Sequence, residues 1–221
     1  VDPTNLPTYV FGGGCQLSGD PEPSLVPTEV AASPTIPEAN VVSIFSETYS
    51  SSILTNVNPF WNQSGTVNDM YDITGDGSNL TLVLQNFNYQ GMDVAATDLS
   101  AMDFLHLDVW VPVGTDRMLK VTPINSGTGP DEVLVEVPLA PGAWNSVDLP
   151  KSAFTGMTWD NVYQMKFDGQ FNADGSANGD GWDVYIDNIF FYREVPPALI
   201  DITFNLDMSE VEVAPSGVFV A

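Results

Sequence analysis

The sequence is short of several things, and each shortage closes a route. It has one cysteine, Cys15, in 221 residues. A single thiol supports neither an internal disulfide nor a cysteine-held zinc cluster. In its setting, Gly12-Gly13-Gly14-Cys15, it reads as a small residue in a tail. The one histidine, His106, excludes a histidine metal cluster. It lies in a strand-like run without a nucleophile-elbow motif, which argues against a serine triad. Lys and Arg number five against 29 Asp and Glu, a formal net charge of -24. Such a chain repels phosphate backbones and anionic lipid surfaces, so neither nucleic acid nor membrane is an expected partner. No apolar run approaches the ~20 residues of a membrane span. No signal peptide is legible, and secretion is expected from composition alone.

Helix formers are also scarce: Asp outnumbers Glu by 20 to 9, and Lys occurs only at 120, 151 and 166. What is abundant is turn chemistry, with 18 Gly and 17 Pro, and strand chemistry in Val, Ile, Phe, Tyr and Trp. Residues 1–40 read as a Pro-rich linker, with Pro21, Pro23, Pro27, Pro34 and Pro37 favouring an extended spacer. From 41 to 195, short apolar runs alternate with turn signals. Strands are expected near 42–46, 80–85, 104–111, 118–124, 132–138, 144–149, 162–167 and 184–192. That pattern predicts an all-β sandwich or jelly roll with few helices. Residues 196–221 open with Pro196-Pro197, and from Ile200 they alternate as a strand would, the expected start of a further module or an extension packed on the main domain.

Two predicted strands have clear faces. In Phe104 to Val111 the odd positions are aliphatic and face a core, which leaves Phe104, His106, Asp108 and Trp110 outside. In Val162 to Asp168, Tyr163, Met165 and Phe167 take one side, and Gln164, Lys166 and Asp168 the other. Planar aromatics beside hydrogen-bonding side chains suit sugar rings and hydroxyls, although a solvated outer face has the same pattern. Trp61, in the polar stretch Asn58-Pro59-Phe60-Trp61-Asn62-Gln63, and Tyr89-Gln90-Gly91 are loop candidates for ligand stacking. Trp144 reads as packing. The candidate binding residues are therefore Trp61, Tyr89, Gln90, His106, Asp108, Trp110, Gln164, Lys166 and Asp168.

Four segments in order carry a family resemblance: Val42 to Tyr49, Asn88 to Gly91 followed by Phe104 to Trp110, Gly142 to Pro150, and Tyr185 to Tyr192. Together they resemble the galactose-binding-like jelly rolls among carbohydrate-binding modules, in particular those of bacterial laminarinases and surface glycan-binding proteins. The resemblance implies non-catalytic binding of a polysaccharide, with laminarin (β-1,3-glucan) the first candidate. It also implies a monomeric module of a longer extracellular or outer-membrane-associated protein of a glycan-utilisation system. A structural calcium is implied as well, at positions that match Glu47 and Asp187. The Gly-rich stretch within 168–183 departs from the family pattern and reads as a turn. The laminarinase signature Glu-x-Asp-x-x-Glu is missing from the nearest stretch, Asp131 to Glu136, so no enzyme is expected. A calcium-stabilised spacer or adhesion domain without a glycan site is the alternative.

Overall fold

The computed structural model describes residues 24–194. Among the described residues eleven strands are joined by turns, and helix is confined to two single 3-10 turns at Glu38–Asn40 and Lys151–Ala153. The strands are β1 (Val41–Phe45), β2 (Leu54–Asn56), β3 (Thr66–Tyr71), β4 (Thr81–Phe87), β5 (Tyr89–Thr97), β6 (Phe104–Trp110), β7 (Arg117–Asn125), β8 (Val135–Val137), β9 (Trp144–Pro150), β10 (Val162–Asn172) and β11 (Trp182–Tyr192).

They form two antiparallel sheets. Sheet A has the order β3-β4-β11-β6-β9, with β1 also paired to β11, and sheet B has the order β2-β5-β10-β7-β8. The chain crosses between sheets at nearly every connection from β4 to β11, which is the jelly-roll winding. The inner faces interdigitate around Leu82, Leu84, Met92, Leu105, Phe167 and Phe191, all fully buried. The aliphatic parity of β6 holds as expected: Leu105, Leu107 and Val109 are inside.

Sequence alternation fails at several bulges, two of which bear on the site. In β10 the register shifts between Val162 and Gln164. Val162 and Met165 are then both buried, so Tyr163 and Gln164 stand together on the outer face and Tyr163 leaves the core side expected for it. In β11 the inward series Trp182-Val184-Ile186 resumes at Ile189-Phe191, because Asn188 is an extra residue with φ 50°. Strands β2, β3 and β5 were not legible. The first is three residues long, and β5 contains Gly91, Asp93, Ala95 and Ala96, weak strand formers that pairing with β10 overrides.

Residues 24–40 lie against the outer face of sheet A. Trp144 Nε1 donates to the Glu29 carbonyl (2.7 Å), Asn188 Nδ2 to Ala32 (3.1 Å) and Tyr49 Oη to Ile36 (3.3 Å). Pro27 and Ala31 are buried by this contact. The Gly-rich stretch after β10 folds as a hairpin, with Phe171 bridged to Ala177 and the Asn172 and Ser176 side chains bonded at 2.8 Å.

Gly169 marks the tightest approach in the core. A Cβ there would lie 2.4 Å from Trp182 Nε1 and 2.5 Å from Phe87 Cζ. Gly169→Ala is expected to lower the unfolding free energy by about 1–3 kcal/mol through overpacking, read as a lower urea midpoint at unchanged m-value.

Candidate functional site

Sheet B presents the open face. On β10, Gln164, Lys166, Asp168 and Gln170 share the outward side, and β5 sets Tyr89, Gly91 and Asp93 across from Asp168, Lys166 and Gln164. The segment 57–65 folds back over this face and carries Trp61. Its indole lies on the bare backbone of Gly91: a Cβ there would come within 2.6 Å of Cη2, Cζ2 and Cζ3 of the ring. No other residue leaves room for that contact.

The loop is fixed by its own polar groups. The Tyr89 hydroxyl donates to the Trp61 carbonyl (2.6 Å), and the Trp61 N–H to Gln63 Oε1 (2.6 Å). Gln63 Nε2 donates to Asn58 Oδ1 (3.0 Å) and the Pro59 carbonyl (2.7 Å). Gln90, 2% exposed, donates from beneath to Asn58 Oδ1 (3.1 Å) and the Gly91 carbonyl (2.8 Å). Its amide therefore supports the loop from the inner side.

Between this loop and β10 lies a cleft of about 460 Å³ lined by Trp61, Tyr89, Glu132, Lys166, Asp168 and Gln170. The Lys166 ammonium is 3.2 Å from Glu132 Oε1 and 3.8 Å from Asp168 Oδ2. Beyond it, Gln164 Nε2 donates to Asp93 Oδ1 (2.7 Å), and Asn56 Nδ2 to Asp93 Oδ2 (3.3 Å). Chemically this is an aromatic plate beside a row of amides and carboxylates. Gln170 was legible from the parity of β10. Glu132 was not, because it reaches the cleft from beside β8.

His106, Asp108 and Trp110 are on sheet A, so the two strands with clear faces do not share a sheet. Their outward orientation is as expected, but residues 24–40 cover it. Trp110 is 3% exposed and packs with Val83 and Tyr185, while Trp144 leans on the same cluster. His106 stacks on Phe190 (4.5 Å between rings) and its Nδ1 lies 2.8 Å from Asp148 Oδ1. Burial alone would lower the His106 pKa; Asp108 and Asp148 outweigh it and hold the imidazole above its ordinary value. The nine candidates thus divide: Trp61, Tyr89, Lys166 and Asp168 line the cleft, Gln164 extends it, Gln90 supports it, and three lie on the covered sheet.

Glu47 acts on Asp187 through its charge, which helps to raise the Asp187 carboxyl. Among the described residues no three acidic, histidine or cysteine side chains gather at one point. A mixed oxygen set gathers instead. Asp187 is fully buried; its Oδ1 accepts from the Asn188 N–H (2.6 Å), and its Oδ2 has no partner. Asn79 Oδ1 and Thr81 Oγ1 are likewise buried and unpartnered. Ile186 pairs with Leu82, so the ladder places Thr81 across from Asp187. Burial pushes the Asp187 carboxyl up to about 7; the Asn188 N–H and the Asn79 amide oppose this, and the charges of Glu47 and Asp108 add to it. Three orphaned oxygens with a nearby carboxylate fit a hard divalent cation.

The raised pKa has a sign. Between pH 4 and 7 the folded, metal-free state holds a proton that the unfolded chain has lost, so stability falls as pH rises. The loss runs through that window as the buried carboxyl is made to ionise. Urea titrations in chelator should show the slope in the wild type and a flatter one in Asp187→Asn.

No protein-family model matches the chain, and no curated protein matches it. Among solved structures 31 chains match. The family 11 carbohydrate-binding module of Clostridium thermocellum, solved with a β-1,3-1,4-mixed-linked tetrasaccharide, is 13% identical with a TM-score of 0.43, over 70% of this chain and 96% of that one. A family 30 carbohydrate-binding module is 15% identical with a TM-score of 0.43, over 70% and 99%. A xylan-binding domain of family 22 is 13% identical with a TM-score of 0.39, over 71% and 97%. Likenesses of this degree assign no ligand to this chain, whose β-sandwich stands on the two sheets described above.

Proposed function

We propose that this domain binds a neutral polysaccharide without catalysis, in the cleft on sheet B, with the β-1,3-glucan laminarin as the first candidate. The observation that carries this reading is the Trp61 ring, laid on Gly91 and locked by Tyr89 and Gln63 beside a row of sugar-type hydrogen-bonding groups. Aromatic faces take the C–H face of a pyranose, and amides and carboxylates take its hydroxyls. A preformed platform also limits the ordering that binding must oppose.

The charge around the cleft points to a neutral ligand. Glu132 and Asp168 flank Lys166, Lys120 of β7 lies across from Asp168, and Asp93 and Glu136 add further negative charge to the face. An anionic polysaccharide would meet net repulsion there. Two carboxylates in one cleft also suggest a hydrolase, but Glu132 and Asp168 both face the Lys166 ammonium. Neither stands free as the acid that glycoside cleavage needs. The choice of β-1,3 linkage rests on the sequence resemblance, as does placement in a longer secreted or surface-attached protein.

Calorimetry with laminarin tests the binding. Trp61→Ala is expected to weaken it at least tenfold, and Gly91→Ala to weaken it by displacing the indole, both with folding retained. Trp144→Phe, on the covered face, should leave affinity unchanged. No heat with laminarin or mixed-linkage glucan would sink the proposal, and reducing-sugar release from laminarin would overturn its non-catalytic part.

We further propose a structural calcium at the orphaned oxygens. Asp187, Asn79, Thr81 and Glu47 would hold it, with backbone carbonyls completing the set. Bound there, the ion supplies the positive charge that the buried Asp187 carboxylate lacks. Glu47 follows β1 and Asp187 lies in β11, so these residues tie the first strand to the last. Chelation is expected to lower the Tm of the wild type and to leave Asp187→Asn unmoved. An unchanged wild-type Tm counts against the site.

A further inference from the structure

The cleft accounts for one end of the open face, and Tyr163 stands at the other. Tyr163 is 36% exposed, among the few large hydrophobic side chains left in solvent. It is there because of the β10 bulge. Plain alternation from Met165 and Phe167 would turn residue 163 into the core; the register shift between Val162 and Gln164 puts Val162 in that place. A bulge gives up regular ladder pairing locally, and its characteristic effect is to re-aim a side chain.

What surrounds Tyr163 leaves its ring accessible. Val162 pairs with Thr97 and Gln164 with Asp93, so the β5 residues between them lie alongside Tyr163. Two of these, Ala95 and Ala96, are small and exposed. Next along β10 come Gln164, bonded to Asp93, then Lys166, then Asp168 across from Tyr89. Asp168 lies five strand positions from Tyr163, roughly 16 Å at the rise of a strand. The outer face therefore runs from an aromatic pair, Trp61 and Tyr89, over an unbroken polar row, to a third aromatic, Tyr163.

We infer that Tyr163 is a distal stacking residue, and that the binding face takes an extended glycan chain spanning from Trp61 to Tyr163. This rests on the polysaccharide reading of the same face. The cleft alone serves a short oligosaccharide, whereas contact with Tyr163 needs a chain long enough to cross the Gln164–Asp93 pair. Tyr163 thus sets chain-length preference, and Trp61 sets binding as such.

The test is calorimetry with a β-1,3-linked glucose trisaccharide and hexasaccharide on wild type, Tyr163→Ala and Trp61→Ala, each with its melting curve. The wild type is expected to prefer the hexasaccharide. Tyr163→Ala should lose about tenfold in hexasaccharide affinity, in the range of one stacked aromatic contact, and keep its trisaccharide affinity. Trp61→Ala should lose both. If Trp61→Ala loses binding while Tyr163→Ala binds the hexasaccharide as wild type does, the distal role is overturned and the cleft stands. Equal loss of both oligosaccharides in Tyr163→Ala also overturns a role in length preference. If the wild type binds neither oligosaccharide, the polysaccharide reading fails, and the role of Tyr163 with it.

Discussion

Strand β11 carries one residue more than its alternation allows, and the side chain of that residue, Asn188, joins parts of the fold that are far apart in sequence. Its Nδ2 donates to Asp108 Oδ2 on β6 (2.8 Å) and to the Ala32 carbonyl, while Ser46 after β1 donates to its Oδ1 (2.7 Å). A left-handed backbone at φ 50° is needed, and asparagine tolerates it. The bulge keeps Ile189 and Phe191 in the core and leaves Asp187 on the outer side of sheet A without a partner for Oδ2. Loss of a buried, fully used amide leaves several groups unpaired, so this crossing is among the least replaceable points of the domain.

The same crossing decides which face is open. A sandwich has two outer faces. Asn188, Trp144 and Tyr49 hold residues 24–40 across that of sheet A, over an aromatic layer that includes Trp110 and Phe190. Sheet B keeps its outer face, and aromatic surface stands on it at Trp61, where Gly91 permits it beside Tyr89, and at Tyr163, where a bulge turns it outward. One sheet therefore holds the fold together, and the other is free to meet a ligand.

Much of the fold was legible in the sequence because a period of two is a strong signal wherever one face is buried. The β6 parity and the outward set Gln164, Lys166 and Asp168 follow from it directly. The misplacement of Tyr163 shows the limit: a bulge shifts the period by one residue and leaves no mark in composition. Trp110 shows another. Its outward side was readable, but its cover comes from a segment far away in sequence whose prolines read equally well as a free spacer. Gln90 looked like a ligand contact because it adjoins Tyr89, yet alternation along an unrecognised β5 turns it inward to hold the Trp61 loop. Asn79 and Thr81 could not be found at all, since only the β4–β11 ladder brings them to Asp187.

The most direct test of a glycan site on sheet B is an amide and indole chemical-shift map during titration with a β-1,3-linked glucose hexasaccharide. The largest changes are expected at the Trp61 indole N–H and at the side-chain amides of Gln164 and Gln170, with the Trp144 indole N–H unmoved. Changes centred on Trp144 and Trp110, or none at saturating ligand, would contradict a binding face on sheet B.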